Sequence, residues 1–380
     1  MVIDAGKERN TDMILTNYWW LLIWLFVVGE FCVLFFPKQQ IKVLDKMEIR
    51  WGWPAVLLLS LPYVIWAGFR PDSFGDTAAY RSAFNNATPS LIRLLSSIDE
   101  DSKDKGFSVL MTLMKALFGN SDVLFFLLIA AFQLFCVVYI YRKYSSDFLL
   151  CFFLFIVSTD YMSWMHNGIR QFIAATAITV CFGLIVNKKY LLTICIILLV
   201  STIHMSALIM IPIVFIIQGK AWNKKTILFI LVIVITMAFI DRFTPFLDTM
   251  LAETQYSDIV TNEIWTSDDG TNIIRVLVYS APALLSLIGK KYIDYENDRV
   301  INICVNCSCI TMALYLLASV SSGIYIGRLP IYTTLVGYIA VPWLIDHMFT
   351  IRSAQLIKFA MIGAYLIFFY YQMHVIWRLL

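Results

Sequence analysis

The chain has 380 residues, of which 60% are hydrophobic and only 14% charged, and its formal net charge is +3. Soluble domains carry about 25% charged residues, so this composition excludes an ordinary soluble protein and predicts an integral membrane protein. No polar linker or low-complexity tract divides the chain. We therefore expect residues 1–380 to form a single integral membrane domain.

Apolar runs near membrane-spanning length follow one another along the chain. A transmembrane helix needs about 20 residues, although tilted or sheltered helices are shorter. The pattern predicts an all-α polytopic membrane protein of about 10–12 transmembrane helices. The runs are residues 18–36, 52–69, 122–141, 147–164, 170–186, 226–243, 272–289, 300–320, 330–345 and 355–371.

Loop charges predict how the chain is oriented. Short loops rich in Lys and Arg stay on the cytoplasmic side. Alternation from the first such loop places both termini outside, together with the acidic loops at 70–106 and 244–271. The outer segment at 70–118 ends in an amphipathic stretch, 107–118, that is expected in the interface. The basic loops lie at residues 38–50, 142–143, 188–189, 220–225, 290–299 and 352.

Residues 190–218 are too long for one crossing and short for two. Basic groups flank them on both sides, so both ends are expected in the cytoplasm. Each arm of about 14 residues reaches roughly 21 Å, less than the ~30 Å hydrocarbon core. We expect a short hairpin whose turn at 201–206 packs against protein in the outer part of the membrane. That turn carries His204.

Ionisable groups at membrane depth are costly, and they commonly mark functional sites. The predicted topology brings several of them from distant segments to one side of the membrane. Such clustering is stronger evidence for a site than any single residue. The groups are Arg70, Asp72, Asp76, Arg81, Asp160, His166, Arg170, His204 and Arg328.

The first outer loop runs from Arg70 to Asp76 and leads into a helix that contains Tyr80 and Arg81. Asp76 is well placed to cap that helix. The alternative is a carboxylate that accepts a proton from a sugar hydroxyl at the mouth of the bundle. Asp76 and Tyr80 share a helical face at i, i+4 spacing.

A second motif covers residues 166–171. His166 and Arg170 are expected to share a helical face, with Gln171 beside them and Asp160 near enough to pair with Arg170. Arg170 either snorkels to the interface or binds a ligand in space left by small Ala174 and its neighbour.

A third motif covers residues 323–332. Pro330 suits the first turn of a helix, which puts Arg328 just before it and Tyr332 within it. Arginines that converge near a helix N-terminus favour phosphate binding. His204 is either a proton acceptor or donor for that site or a satisfied buried histidine.

Taken in order, these motifs resemble the EpsG family of Wzy-like bacterial exopolysaccharide and capsule polymerases. The resemblance covers residues 55–372. It rests on Arg-x5-Asp-x3-Tyr, Gly-Ile-Arg-Gln-x-Ile-Ala, His-Met-Ser-Ala-Leu and Gly-Arg-Leu-x-x-Tyr.

The resemblance implies a membrane glycosyltransferase with a lipid-diphosphate-sugar donor. It would join undecaprenyl-diphosphate-linked oligosaccharides into exopolysaccharide, capsule or O-antigen at the outer face of the bacterial cytoplasmic membrane. The catalytic residues would be Asp76, as general base, and His204. The residues implied to bind diphosphate and glycan are Arg70, Tyr80, Arg81, His166, Arg170, Gln171, Arg328 and Tyr332.

The expected partners are the lipid-linked oligosaccharides, membrane lipids and other polysaccharide-assembly proteins. No cofactor, metal or nucleic acid is expected, because the chain carries no nucleotide-binding, zinc-binding or basic nucleic-acid motif. Three alternatives stay open. A ligase uses the same donor chemistry, a flippase moves the same lipid, and a membrane acyltransferase would use His204.

Overall fold

The fold is built almost entirely from helices, as the apolar runs predict. The computed structural model describes residues 18–97, 104–240 and 270–377, so most of the predicted outer loop at 244–271 lies outside the described residues. The helices are α1 Trp19–Phe35, α2 Trp53–Gly68, α3 Thr77–Asn86, α4 Leu91–Ser97, α5 Lys105–Phe118, α6 Asp122–Tyr144, α7 Phe148–Val157, α8 Asp160–His166, α9 Ile169–Val180, α10 Phe182–Val186, α11 Tyr190–Ser201, α12 Met210–Ile216, α13 Lys224–Ala238, α14 Ile273–Ile288, α15 Lys290–Glu296, α16 Arg299–Ala318, α17 Ile331–Gly337, α18 Ala340–Met348 and α19 Ile351–Tyr370.

Helix length and composition confirm the all-α polytopic membrane fold. Three helices are long and apolar enough to cross a membrane, and the number rises to six if each of three bent pairs is one span. Other apolar helices, including α1, α2 and α9, are shorter than 18 residues. The larger count of about 10–12 crossings depends on these short helices. That count stays a prediction.

Two of the bent pairs change direction inside the bundle. The first bends by 65° between α7 and α8, where Thr159 adopts a left-handed backbone with φ of 70°. The second bends by 51° between α17 and α18. A broken helix leaves backbone and polar groups at membrane depth, where surrounding protein must satisfy them.

The short hairpin predicted for 190–218 is present. Helix α11 runs to Ser201, and the chain returns through the 3-10 turn Met205–Ile209 and α12. The turn is held at its far end, where the Gly106 amide donates to the Thr202 carbonyl at 2.8 Å. At the C-terminal end of the hairpin, Gln218 Nε2 donates a hydrogen bond to the Ile185 carbonyl of α10 at 3.0 Å.

The two ends of the bundle differ in character. One, here called the basic end, surrounds a cavity of about 850 Å³ whose lining includes Lys46, Lys188, Lys220 and Arg299. The opposite, polar end gathers the loops around residues 69–76, 104–106, 167–168, 202–204 and 319–330. Loops that the charge pattern assigns to one side therefore lie together. Which end faces the cytoplasm stays a prediction.

A β-hairpin covers the basic end, where the sequence indicated only a basic loop. Strands β1 Lys38–Val43 and β2 Lys46–Trp51 pair antiparallel, with Val43 opposite Lys46. Arg142 on α6 fixes the hairpin to the bundle, since its Nε donates to the Trp51 carbonyl at 2.8 Å and its Nη2 to Gln39 Oε1 at 3.1 Å.

The predicted amphipathic segment is helix α5, but its lysine does not extend towards water. Lys115 is buried and its Nζ donates to the carbonyls of Phe84 and Asn85, at 3.1 and 2.6 Å. The lysine therefore links α5 to the end of α3. In this way α5 helps to hold α3, the helix whose N-cap residue is Asp76.

The orientation is testable with exposed positions at the two ends. Ala83 on α3 and Met47 on β2 are both exposed. We expect an impermeant maleimide to label Ala83→Cys on intact cells and Met47→Cys only after permeabilisation, because basic loops stay in the cytoplasm. The parent should carry Cys195→Ser, since Cys195 is the exposed native cysteine within the described residues. The reverse labelling pattern would invert the topology.

Candidate active site

Hydrogen bonds and ion pairs bring three distant segments together at the polar end. Arg170 in the first turn of α9 forms an ion pair with Asp104, with 2.6 Å between Nη1 and Oδ2. The neighbouring Gln171 donates through Nε2 to the Arg328 carbonyl at 3.0 Å. The predicted convergence of the second and third motifs is therefore present in the structure. Asp104, which directly precedes α5, belongs to the same group of residues.

Arg170 lies between an acid and an aromatic ring. Its side chain is 39% exposed, whereas that of Asp104 is 13% exposed, so the pair is only partly desolvated. The guanidinium carbon lies 5.9 Å from the centroid of the Tyr80 ring. The position of Arg170 is thus set by protein contacts, which argues against simple snorkelling to the interface.

His204 heads a chain of hydroxyl groups at the hairpin turn. Its Nδ1 lies 2.7 Å from Ser206 Oγ, which lies 2.9 Å from the Tyr332 hydroxyl. The half-buried ring is within electrostatic range of Arg170 and Arg328. Three segments, the hairpin, α9 and α17, therefore place polar groups around one imidazole.

Asp76 occupies the N-cap position of α3, as the sequence predicts, but its side chain makes no capping hydrogen bond. The residue is exposed at the rim of the polar end. Arg170 lies within electrostatic range of its carboxylate. The capping alternative is therefore not seen.

Arg70 differs from this cluster because it is 2% exposed. Its Nε and Nη1 donate to the carbonyls of Ala67 and Met165, and its guanidinium lies over the Phe126 ring at 4.7 Å. Burial lowers the pKa of Arg70 to about 9, because the charged form loses hydration. Arg70 thus ties the end of α2 to the end of α8.

Arg81 is also held by protein groups. It pairs with Asp72 in the preceding loop and with Asp122 at the start of α6, where Nε and Oδ2 are 2.5 Å apart. Two carboxylates neutralise one guanidinium, so Arg81 is better suited to fix the loop than to hold an anion.

Two expectations about the second motif are wrong. His166 and Arg170 do not share a helix, because α8 ends at His166 and α9 begins at Ile169. His166 is buried, with its ring 4.9 Å from that of Phe74. The break between α8 and α9 could not be recognised from the sequence, because Asn167 and Gly168 are compatible with a helix end and also with a continuous helix.

Asp160 is likewise not the partner of Arg170. It begins α8, fully buried, and accepts hydrogen bonds from the hydroxyls of Tyr279 at 2.6 Å and Tyr338 at 2.7 Å. The partner of Arg170 is Asp104 and not Asp160. Asp160 therefore belongs to the interior of the bundle.

A pocket of about 430 Å³ opens beside the cluster. Arg328 and the loop just before Asp76 line it, and so does Arg275 on α14, a residue that no sequence motif included. The apolar run at 272–289 concealed Arg275, although a lone arginine inside such a run is itself a signal of function. The pocket is also lined by Ser163, Trp164, Gly168 and Trp377.

A family model matches residues 55–377, most of the chain and every candidate site residue. The chain belongs to the EpsG family. No curated protein and no solved structure matches it at a significant level. EpsG membership supports an exopolysaccharide-related polymerase at the level of the family. The resemblance drawn from the ordered motifs is therefore confirmed.

The glycine of the EpsG-like Gly-Ile-Arg-Gln segment meets a steric constraint. A Cβ at Gly168 would lie 2.7 Å from Cε3 of Trp164. We expect Gly168→Ala to lower stability by about 1–3 kcal/mol, because the indole must move in a packed site. Thermal unfolding in detergent measures this effect. Gly363→Ala is the matched control, since its Cβ would meet nothing within 4 Å; equal unfolding temperatures would contradict the close contact.

Proposed function

We propose that the chain is a polymerase that joins lipid-diphosphate-linked oligosaccharide units at the outer face of the bacterial cytoplasmic membrane. The observation that carries the proposal is the meeting of Asp76, Arg170, His204 and Arg328 at one end of the bundle. Membership of the EpsG family supports the polymerase chemistry. The substrate would be a glycan on undecaprenyl diphosphate.

The reaction transfers a glycan from a lipid diphosphate to a hydroxyl of the next lipid-linked unit. The acceptor oxygen bonds to the anomeric carbon while the bond from that carbon to the diphosphate oxygen breaks. Negative charge grows on the departing diphosphate. Fixed guanidinium groups stabilise such charge strongly in a water-poor site. Arg328 and Arg170 are the groups proposed for this role.

The acceptor hydroxyl must lose its proton. Asp76 is the proposed base, because its carboxylate is exposed at the rim and makes no capping bond to α3. General-base catalysis of this kind contributes about 10²- to 10⁴-fold. His204 is held by Ser206 at 2.7 Å, an arrangement suited to orienting substrate or passing on the proton.

The arrangement favours polymerase over two of the alternatives. An acyltransferase would take acyl-CoA from the cytoplasm, whereas His204 lies at the polar end, away from the basic loops. A flippase needs charged groups along a path between both faces, whereas the groups proposed for this site, Asp76, Arg170, His204 and Arg328, lie together at the polar end. A ligase uses the same donor chemistry, and the family supports the polymerase instead.

Polymer formation in a deletion strain tests the assignment. We expect Asp76→Asn to lower long-chain polymer at least 100-fold, because the proton acceptor is removed. Units bearing single repeats should still appear outside the cell. The control is Asp45→Asn, which removes an exposed carboxylate from the turn of the β-hairpin at the opposite end of the bundle. Polymer length is read by gel electrophoresis of extracted glycan.

Normal polymer from the Asp76→Asn strain would refute the proposed base. Accumulation of lipid-linked units inside the deletion strain would instead identify a flippase. Full-length polymer that is made but not attached to an acceptor would identify a ligase. These results therefore distinguish the polymerase from the flippase and the ligase.

Arg170→Gln is a second test of the same site, and it needs a companion. The single substitution leaves Asp104 partly buried without its partner, which is destabilising in itself. The double variant Arg170→Gln with Asp104→Asn removes both charges. We expect the double variant to unfold near the parent temperature and still to lose polymer. Restored polymer in the double variant would make the pair structural.

A further inference from the structure

The pocket of about 430 Å³ at the polar end has the shape of a ligand site. Its volume falls within the range of about 300–1,000 Å³ typical of small-molecule pockets. The lining includes exposed Ser73 and Ile324 as well as buried Met162 and Trp164. The pocket therefore combines surface residues with residues of the bundle interior.

Its charge is one-sided. Arg275 and Arg328 both line the pocket, and none of its lining residues is Asp or Glu. Neither arginine forms an ion pair with a carboxylate among the described residues, in contrast to Arg81 and Arg170. Two guanidinium groups in a pocket whose described lining contains no carboxylate favour an anion with several oxygen acceptors, of which phosphates are the best matched.

Unused hydrogen-bonding capacity points the same way. Arg275 Nε and Ser163 Oγ are both buried, and neither has a hydrogen-bond partner among the described residues. A buried donor without a partner is costly, and each such group in a native structure calls for an explanation. An anion in the pocket would accept from both.

The bundle interior holds Arg275 in place from behind. Its guanidinium carbon lies 5.5 Å from the centroid of the Tyr279 ring, and Asp160 lies within electrostatic range. Asp160 is in turn fixed by the hydroxyls of Tyr279 and Tyr338. This support reduces the freedom of the arginine, and a preorganised cation binds an anion at a smaller entropic cost.

The pocket adjoins the proposed catalytic groups. Its wall includes Gly75, the residue immediately before Asp76, and Arg328 also lies within electrostatic range of His204. An anion held here would be next to the proposed base and to the arginines of the cluster. Its position therefore suits the leaving group of the transfer reaction.

We propose that Arg275 and Arg328 form a diphosphate-binding site in this pocket, with Arg275 as a substrate-binding residue that the family motifs do not contain. The inference rests on the proposed function, because it assigns the pocket to the diphosphate of the lipid-linked donor. Ser163 would supply a further hydrogen bond to the same group. The ligand class is a diphosphate ester of a long apolar alcohol.

Direct binding to the purified full-length chain in detergent tests the assignment without requiring polymerisation. The probe is radiolabelled farnesyl diphosphate. Unlabelled farnesyl diphosphate, inorganic diphosphate and farnesol are each tested as competitors. We expect both diphosphates to displace the probe and farnesol to fail. The loss of a charge-assisted contact in Arg275→Gln should weaken binding about 10- to 100-fold. Arg275→Lys should lose less, because it keeps the charge but not the fork.

The control variant is Arg352→Gln, which removes an exposed arginine from the start of α19. It should bind the probe as the parent does. The unfolding temperature without ligand is measured for every variant, and Arg328→Gln replaces Arg275→Gln if the latter does not fold. Parental affinity in folded Arg275→Gln and Arg328→Gln would overturn the proposal, as would equal displacement by farnesol.

The outcome can be separated from that of the proposed function. If Arg275→Gln loses the probe but the deletion strain still makes long polymer, the anion site stands and the polymerase assignment fails. If the deletion strain loses polymer while both arginine variants bind normally, the polymerase stands and the site lies elsewhere.

Discussion

One buried carboxylate organises the interior on which the rest of the structure depends. Asp160 lies at the 65° bend between α7 and α8 and accepts hydrogen bonds from Tyr279 on α14 and Tyr338 beside α17. A buried charge is tolerated only when its neighbours satisfy it. This one carboxylate therefore links three segments. Each of the three leads towards the polar end, where Arg275, Arg328 and the α9 arginine emerge.

Broken helices are the means by which this bundle makes a site. A continuous helix hides its backbone polar groups and presents side chains to lipid or to other helices. Here the chain breaks between α8 and α9, at the hairpin turn before Met205 and at the 3-10 turn Ile326–Arg328. Each break forms a short loop at the polar end, and hydrogen bonds from Gln171 to Arg328 and between Ser206 and Tyr332 connect the segments that follow the breaks. Arg170, His204 and Arg328 each lie within or beside one of these breaks.

The sequence predicted more of the fold than of the contacts within the site. Apolar runs and loop charges were sufficient to predict the helices, the short hairpin and the grouping of the loops at two ends of the bundle. These features depend on the length of the apolar runs and on the hydration of charged residues. The partner of Arg170 was missed, since Asp104 precedes α5 and lies 66 residues away from Arg170 along the chain. Arg275 was missed because an apolar run surrounds it. The β-hairpin was missed because its strands alternate weakly and carry four basic residues.

Charge balance divides the arginines of the polar end into two kinds. Arg81 and Arg170 form ion pairs with carboxylates, and Arg70 donates hydrogen bonds to two backbone carbonyls. Arg275 and Arg328 have no ion-pair partner among the described residues. Asp160 lies within electrostatic range of Arg275, but no carboxylate of the described residues lines the pocket that the two arginines share. On the proposed function, an anionic substrate would therefore gain most from Arg275 and Arg328, with Arg170, which is already paired with Asp104, in a supporting role.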